Sequence, residues 1–288
     1  MRYGLFALIL GCILAQQAMG QALVQDKILL AYEFTKGEVL RYKVDCRDSM
    51  TVDTQTEDGP AEKEGIEMHS IAIVRIRVQK VLADGSAEIT SSLESIALTV
   101  DGKKQSVDLK SVPAVRFSMQ KTGAVKWLPA EKVPSLEDDS SPLMMALNCI
   151  TDVILPGKEV KVGDAWDVSV KDYEVDEGKM DIPIAAALVS MGSMAAGVKS
   201  AEISIKATPE AASIPVKGAP MTASAQVEGK DYFSPERKCI VRTEGTATIN
   251  VDKALIEAVG PFNEAVPVAR GCVQIVTKTD YKAELLPN

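Results

Sequence analysis

One histidine, His69, occurs in 288 residues. A Ser-His-acid triad would have to use that ring, and a His-based zinc site needs several convergent ligands, so both chemistries lose their usual signature. The five cysteines are far apart and form no C-x-x-C, which removes thioredoxin-type redox work and zinc ribbons. Neither G-x-G-x-x-G nor G-x-x-x-x-G-K occurs, so no glycine loop is set to cradle a phosphate. Gly192-Ser193 lacks the flanks of a nucleophile elbow. Glu57-Asp58-Gly59 resembles a calcium loop only at its glycine, because Gly65 then stands where the bidentate Glu must be.

Aromatic residues make up 5% of the chain. That leaves few rings to stack sugars, which counts against a glycoside hydrolase even though 40 acidic residues could supply its two carboxylates. Runs of basic residues are absent and the formal charge is −8. Nothing would drive counterion release from a phosphate backbone or hold a polybasic segment near acidic lipids, so no nucleic-acid partner is expected. No catalytic residue, metal ligand or cofactor is expected either. An acid-based hydrolase is the enzymatic alternative.

What is present begins with an export pattern. Met1-Arg2-Tyr3 supplies a positive charge, Gly4 to Ala15 an apolar stretch, and Ala18 and Gly20 the small residues of a cleavage site, which places cleavage after Gly20. The apolar run is too short to span a bilayer, and no later segment is long and greasy enough. A periplasmic or extracellular destination follows. The competing reading takes Cys12, after Ile9-Leu10-Gly11, as the lipidated cysteine of a lipoprotein. Leu10 is bulky where a small residue is usual, so membrane association is expected only if Cys12 is lipidated.

Strand periodicity runs through the rest. From Leu40 to Met50 the apolar side is Leu40, Tyr42, Val44, Cys46 and Met50, with Arg41, Lys43, Asp45 and Arg47 opposite. Ala72, Val74, Ile76 and Val78 alternate with Arg75, Arg77 and Gln79, and Ala83-Asp84-Gly85-Ser86 then reads as a hairpin turn into Ala87 to Val100. Val241 to Val251 and Val273 to Tyr281 repeat the pattern. One wet and one dry face per strand predicts curved antiparallel sheets covered on one side, not a parallel α/β core.

Helix signals are few. Ser141 to about Ile154 has a capping Ser, Pro142 in the first turn and Leu143, Leu147, Ile150 and Ile154 on one face. A shorter helix is predicted from Asp252 to Gly260-Pro261. Ile182 to Val198, uncharged and interrupted by Pro183, reads as a buried short helix or packed loop, or alternatively as a mobile apolar lid. Gly37 to Val44 and Gly163 to Val170 share a glycine, an acid and an alternating strand. Phe117 to Val125 and Phe233 to Val241 share a strand–turn–strand layout. These similarities predict a mainly β fold of two related curved antiparallel sheets, half-barrel or sandwich-like, with one or two short helices. The expected division is signal peptide 1–20, N-terminal β repeat 21–140, helix and connector 141–160, and C-terminal β repeat 161–288.

Lys36-Gly37-Glu38 with Tyr42-Lys43-Val44, then Asp84-Gly85-Ser86-Ala87, then Val162-Gly163-Asp164-Ala165-Trp166 occur in an order that resembles an uncharacterised family of exported bacterial proteins, many of them lipoproteins. The resemblance spans about Phe34 to Tyr281. It implies an envelope or extracellular location and a β-rich body, and it carries no activity. The chain departs from it in lacking a convincing lipobox.

Tyr42, Trp127 and Trp166 are the candidate ligand-binding residues. Tyr42 and Trp166 occupy equivalent places in the two repeats, where they either plug the core of each half or line an apolar cavity with Trp127 at its rim. Strand parity separates Cys239, in the apolar row with Val241, from Cys272, in the polar row with Gln274, so the two are not expected to be bonded, and Cys46 and Cys239 are expected to be buried. Two functions follow: a non-enzymatic envelope protein that binds an apolar or amphipathic ligand, or a structural or protein-interaction module with a filled core.

Overall fold

The computed structural model describes residues 27–56, 62–128, 147, 150, 155–175, 178–207, 212–216, 219–259 and 266–287. In chain order the strands are β1 (Ile28–Leu29), β2 (Val39–Thr56), β3 (Glu62–Val81), β4 (Ala87–Val100), β5 (Lys103–Gln105), β6 (Val115–Met119), β7 (Val125–Trp127) and β8 (Glu159–Val160). They continue as β9 (Ala165–Val175), β10 (Gly178–Ala195), β11 (Val198–Ala207), β12 (Ala212–Val216), β13 (Ala219–Ser234), β14 (Cys239–Val259) and β15 (Val266–Leu285). β1 and β8 form a two-stranded sheet. The other strands form one open 13-stranded sheet in the order β7-β6-β4-β3-β2-β15-β14-β13-β11-β10-β9, with β5 on β4 and β12 on β13.

Every pairing is antiparallel, and neighbours in the sheet are mostly neighbours in sequence, as short hairpin connections require. β4–β6 and β11–β13 each skip one short strand, and the long-range exception is the seam between β2 and β15, where Tyr42 to Thr56 pair with Gly271 to Leu285. The expected two sheets, one per repeat, are therefore a single sheet to which both halves contribute. The predicted turn at Ala83–Ser86 is present, with Asp84 Oδ1 accepting from Ser86 N at 2.9 Å and Ser86 Oγ at 2.6 Å.

The dry face follows from the alternation. Val74 and Ile76 are 0% and 7% exposed, while Arg75 and Arg77 point to the other side. Fully burying Phe117 on β6 contributes about 1.5–3 kcal/mol relative to leaving it in water. The segment from Ile28 to Phe34 packs into the core of the sheet. Tyr32 N donates to Lys121 O at 2.8 Å, Leu30 N to Lys158 O at 3.3 Å and Glu33 N to Lys238 O at 3.3 Å, so the segment ties three turns together while Leu30 and Tyr32 sink into the core.

Two expectations are overturned. The helix expected from Asp252 is not formed over Asp252 to Val259: β14 runs to Val259 and pairs with β15 through Val259 opposite Val266, while Gly260 and Pro261 lie outside the described residues. A ladder of that length outweighs the helix preference of a few Ala, Leu and Glu residues. Ile182 to Val198 is neither helix, loop nor lid, because it forms most of β10 and the turn into β11. Pro183 fits there because β11 pairs with β10 only from Ala185 onward, so the missing N–H interrupts no ladder on that side. Ala196 (φ 47°) and Gly197 (φ 76°) close a two-residue hairpin turn in which both central residues are left-handed. Of the helix expected over Ser141 to Ile154, only Leu147 and Ile150 are described, and both are buried in the core.

Candidate functional site

The three aromatic candidates do not converge on one space. Tyr42 is 3% exposed and its hydroxyl donates to Ile240 O at 2.7 Å, which anchors β2 to β14 across the core. Trp127 is half-buried and packs edge-on against Phe117, with ring centroids 5.4 Å apart. Trp166 is half-buried on β9, opposite Ala186 in register. Tyr42 and Phe117 line an apolar cavity together with Tyr32, Phe34, Met119 and Cys239, but that cavity holds about 30 Å³. A water needs about 10–15 Å³ on the same kind of measure, and a small-molecule site about 300–1,000 Å³.

Polar chemistry gathers on the opposite, outer face. An open hollow of about 840 Å³ crosses β2, β15, β14, β13 and β11. Its floor includes Gly229 and Gly245, which are opposite each other in register. A Cβ on Gly245 would lie 2.6 Å from Glu228 O and 2.8 Å from the Tyr281 hydroxyl, so the two strands approach too closely there for a side chain. The walls carry both signs of charge, and many are paired: Lys206 with Glu228 at 3.2 Å, Lys230 with Glu202 at 2.8 Å, and Arg242 with Glu244. His69 pairs with Asp45 at 2.9 Å beside the hollow. Pairs this exposed add little to stability, because water screens them.

Among the described residues, every ionisable group with a displaced proton affinity moves away from neutrality. Burial holds Tyr32 and Tyr42 well above the usual tyrosine value and pushes the Cys239 thiol up to about 11. The hydrogen bond from Lys230 lowers Glu202, and bonds from Ser86 lower Asp84. Catalytic acids and bases are tuned the other way, toward the working pH. Among the described residues, no group of three or more His, Cys, Asp or Glu could hold a metal ion. No described helix is long and apolar enough to cross a membrane, which says nothing of a β-barrel.

The cysteine parity is as expected where it is described. Cys239 is buried and Cys272 exposed, both are free thiols, and Cys46 is buried with its thiol donating to Asp48 Oδ2 at 3.4 Å. Cys149 lies outside the described residues. Sequence reasoning missed a polar cluster on β10 and β11. Ser190 Oγ and Ser193 Oγ are 2.8 Å apart, and each is 3.4 Å from Glu202 Oε2. The one available signal was Ser-x-Gly-Ser inside an uncharged tract, where a glycine in a strand marks a bulge.

No family model matches the chain, and no curated protein matches it in sequence. Two solved structures show a distant likeness. The COG4313 outer membrane channel from Pseudomonas putida F1 is 8% identical, with a TM-score of 0.25 over 88% of this chain and 97% of that one. A DUF1329 family protein from Desulfovibrio piger ATCC 29098 is 10% identical, with a TM-score of 0.14 over 85% of this chain and 84% of that one. Scores this low carry no argument about fold or function.

Proposed function

We propose that the chain is an exported, non-enzymatic envelope protein that acts through contact with another protein and carries no small molecule inside its sheet. The observation that carries this reading is the size of the apolar cavity lined by Tyr32, Tyr42 and Phe117. It holds about 30 Å³, an order of magnitude below a ligand pocket. The displacement of ionisable groups away from neutrality supports the non-enzymatic part, and the N-terminal charge, apolar stretch and small residues support export.

One observation favours the ligand-binding alternative. Ala207, Ala223, Ala225 and Val251 form a second apolar cluster, separate from the main core, with half-buried Ile184, Val227, Ile249 and Ile275 around it. The cluster itself is already closed, so contact from an apolar ligand would fall on those half-buried residues. The test is mass spectrometry of an organic extract from protein purified without detergent from the compartment it is exported to. A clean extract from folded protein is the expected result, and a stoichiometric lipid would overturn the reading in favour of a carrier.

A further inference from the structure

The pairing of β10 with β9 reaches only as far as Ala187 opposite Ala165. Gly163 N then donates to Leu188 O at 2.8 Å and Leu188 N to Asp164 O at 3.0 Å, which ends the ladder on that side. From Val189 to Ala195, β10 is paired with β11 alone among the described residues, so its other edge is open. No charged residue lies between Asp181 and Lys199, and Val189, Met191 and Met194 are 47%, 37% and 63% exposed. An uncharged open edge with protruding apolar side chains is a template for pairing with another chain. The usual defences are an edge lysine, a proline or a bulge, and the first two are missing from this stretch.

Bulges are present instead. The register with β11 shifts between Leu188 and Ser190 and again between Met191 and Ser193, and Gly192 between them has φ +87°. The two shifts bring Ser190 and Ser193 together at 2.8 Å and aim both at Glu202 Oε2 on β11, whose other oxygen, Oε1, takes Lys230 at 2.8 Å. Two hydroxyl hydrogens are shared among these three oxygen contacts, and at least one of them is donated to the carboxylate. The clasp ties the bulged stretch of β10 to β11, its one partner there among the described residues, and fixes a shape that a straight strand cannot pair with.

We propose that the Ser190–Ser193–Glu202 clasp is an edge guard, which holds β10 doubly bulged and so denies its open edge to a second copy of this chain. This does not rest on the function proposed above. Loss of the clasp lets β10 straighten, and the copy that then pairs with it does so through Val189 to Ala195.

The test is sedimentation velocity over a concentration series on purified wild-type protein and on Ser190→Ala/Ser193→Ala, which leaves the Glu202–Lys230 pair in place. Wild type is expected to stay a single species, while the double variant self-associates at least about tenfold more strongly, a shift of about 1.4 kcal/mol. Adding Met194→Lys to the double variant restores the single species without restoring its melting temperature. A double variant that sediments as wild type overturns the proposal. So does association that Met194→Lys leaves untouched, because it would come from general loosening of the fold, and so does wild-type protein already paired through this edge. If the double variant does not fold, Ser190→Ala alone carries the same comparison with the same outcomes.

Discussion

The flank of the sheet from β7 to β2 and the flank from β15 to β9 share one dry face but fill it differently. The first presents Tyr42, Val74, Ile76, Ile89 and Phe117, all large and all at most 7% exposed. The second mixes large and small: Leu188, Ile203 and Phe233 are just as buried, but Ala186, Ala201, Ala223 and Ala225, the glycine pair on β13 and β14, and the buried polar residues Asp231 and Thr243 stand among them. Large side chains fill space from their own strand, whereas small ones let backbone or other side chains come close. Both flanks thus supply volume, and the second adds points of close approach.

Breaking that contrast starts with the largest effect. Phe117→Ala should cost about 3–5 kcal/mol in urea unfolding, since it removes a fully buried ring together with the edge that Trp127 packs on. A cost below 1 kcal/mol would mean that the first flank can collapse around the missing ring. The flanks meet where Cys239 on β14 faces Tyr42 on β2, and alkaline pH probes that junction. The fold favours the neutral thiol, so this contribution is whole below the unfolded value of 9.0 and is lost as pH rises to about 11, roughly 3 kcal/mol. Tyr32 and Tyr42 add to the fall only above about pH 10. Stability measured from pH 8 to 11 should fall less steeply in Cys239→Ala than in wild type, and equal slopes would remove the thiol from the account.

Gly245→Ala sharpens the second flank. Its methyl meets backbone at 2.6 Å, which cannot swing aside, so a loss of about 1–3 kcal/mol is expected by thermal melting. Gly102→Ala is a useful contrast, because nothing lies within 4 Å of its new carbon and only the left-handed backbone opposes it. The smallest effect belongs to the turn at Ala196, where Ala196→Asn should gain about 0.5 kcal/mol because asparagine tolerates the left-handed conformation better. A loss there would show that the packing of the Ala196 methyl against the core outweighs its backbone strain.

The first flank was far more legible than the second. Alternation at Leu40 to Met50 and at Ala72 to Lys80 marked β2 and β3 because large apolar residues faced charged ones, and Asp84-Gly85 marked the turn. β10 was illegible because alanine, serine, glycine and methionine carry almost no period-two contrast, and Pro183 reads as a breaker until its unpaired side is known. The end of β14 was misread because its pairing partner lies beyond the chain reversal, a long-range fact that local preference cannot encode. Tyr42 was correctly placed on the dry face, but its bond to Ile240 O and the serine clasp depend on contacts between strands.

The seam between β2 and β15 also bears on timing. It joins the first long strand to the last, with Tyr42 opposite Leu285 and Thr56 opposite Gly271, so its contacts span more than two hundred residues and rank among the slowest kind to form. A ribosome releases β15 after every other described strand. Until it does, β2 and β14 each lack a neighbour in the middle of the sheet, and the two halves can be assembled only as separate meanders. Joining them is therefore a late event at the centre of the sheet.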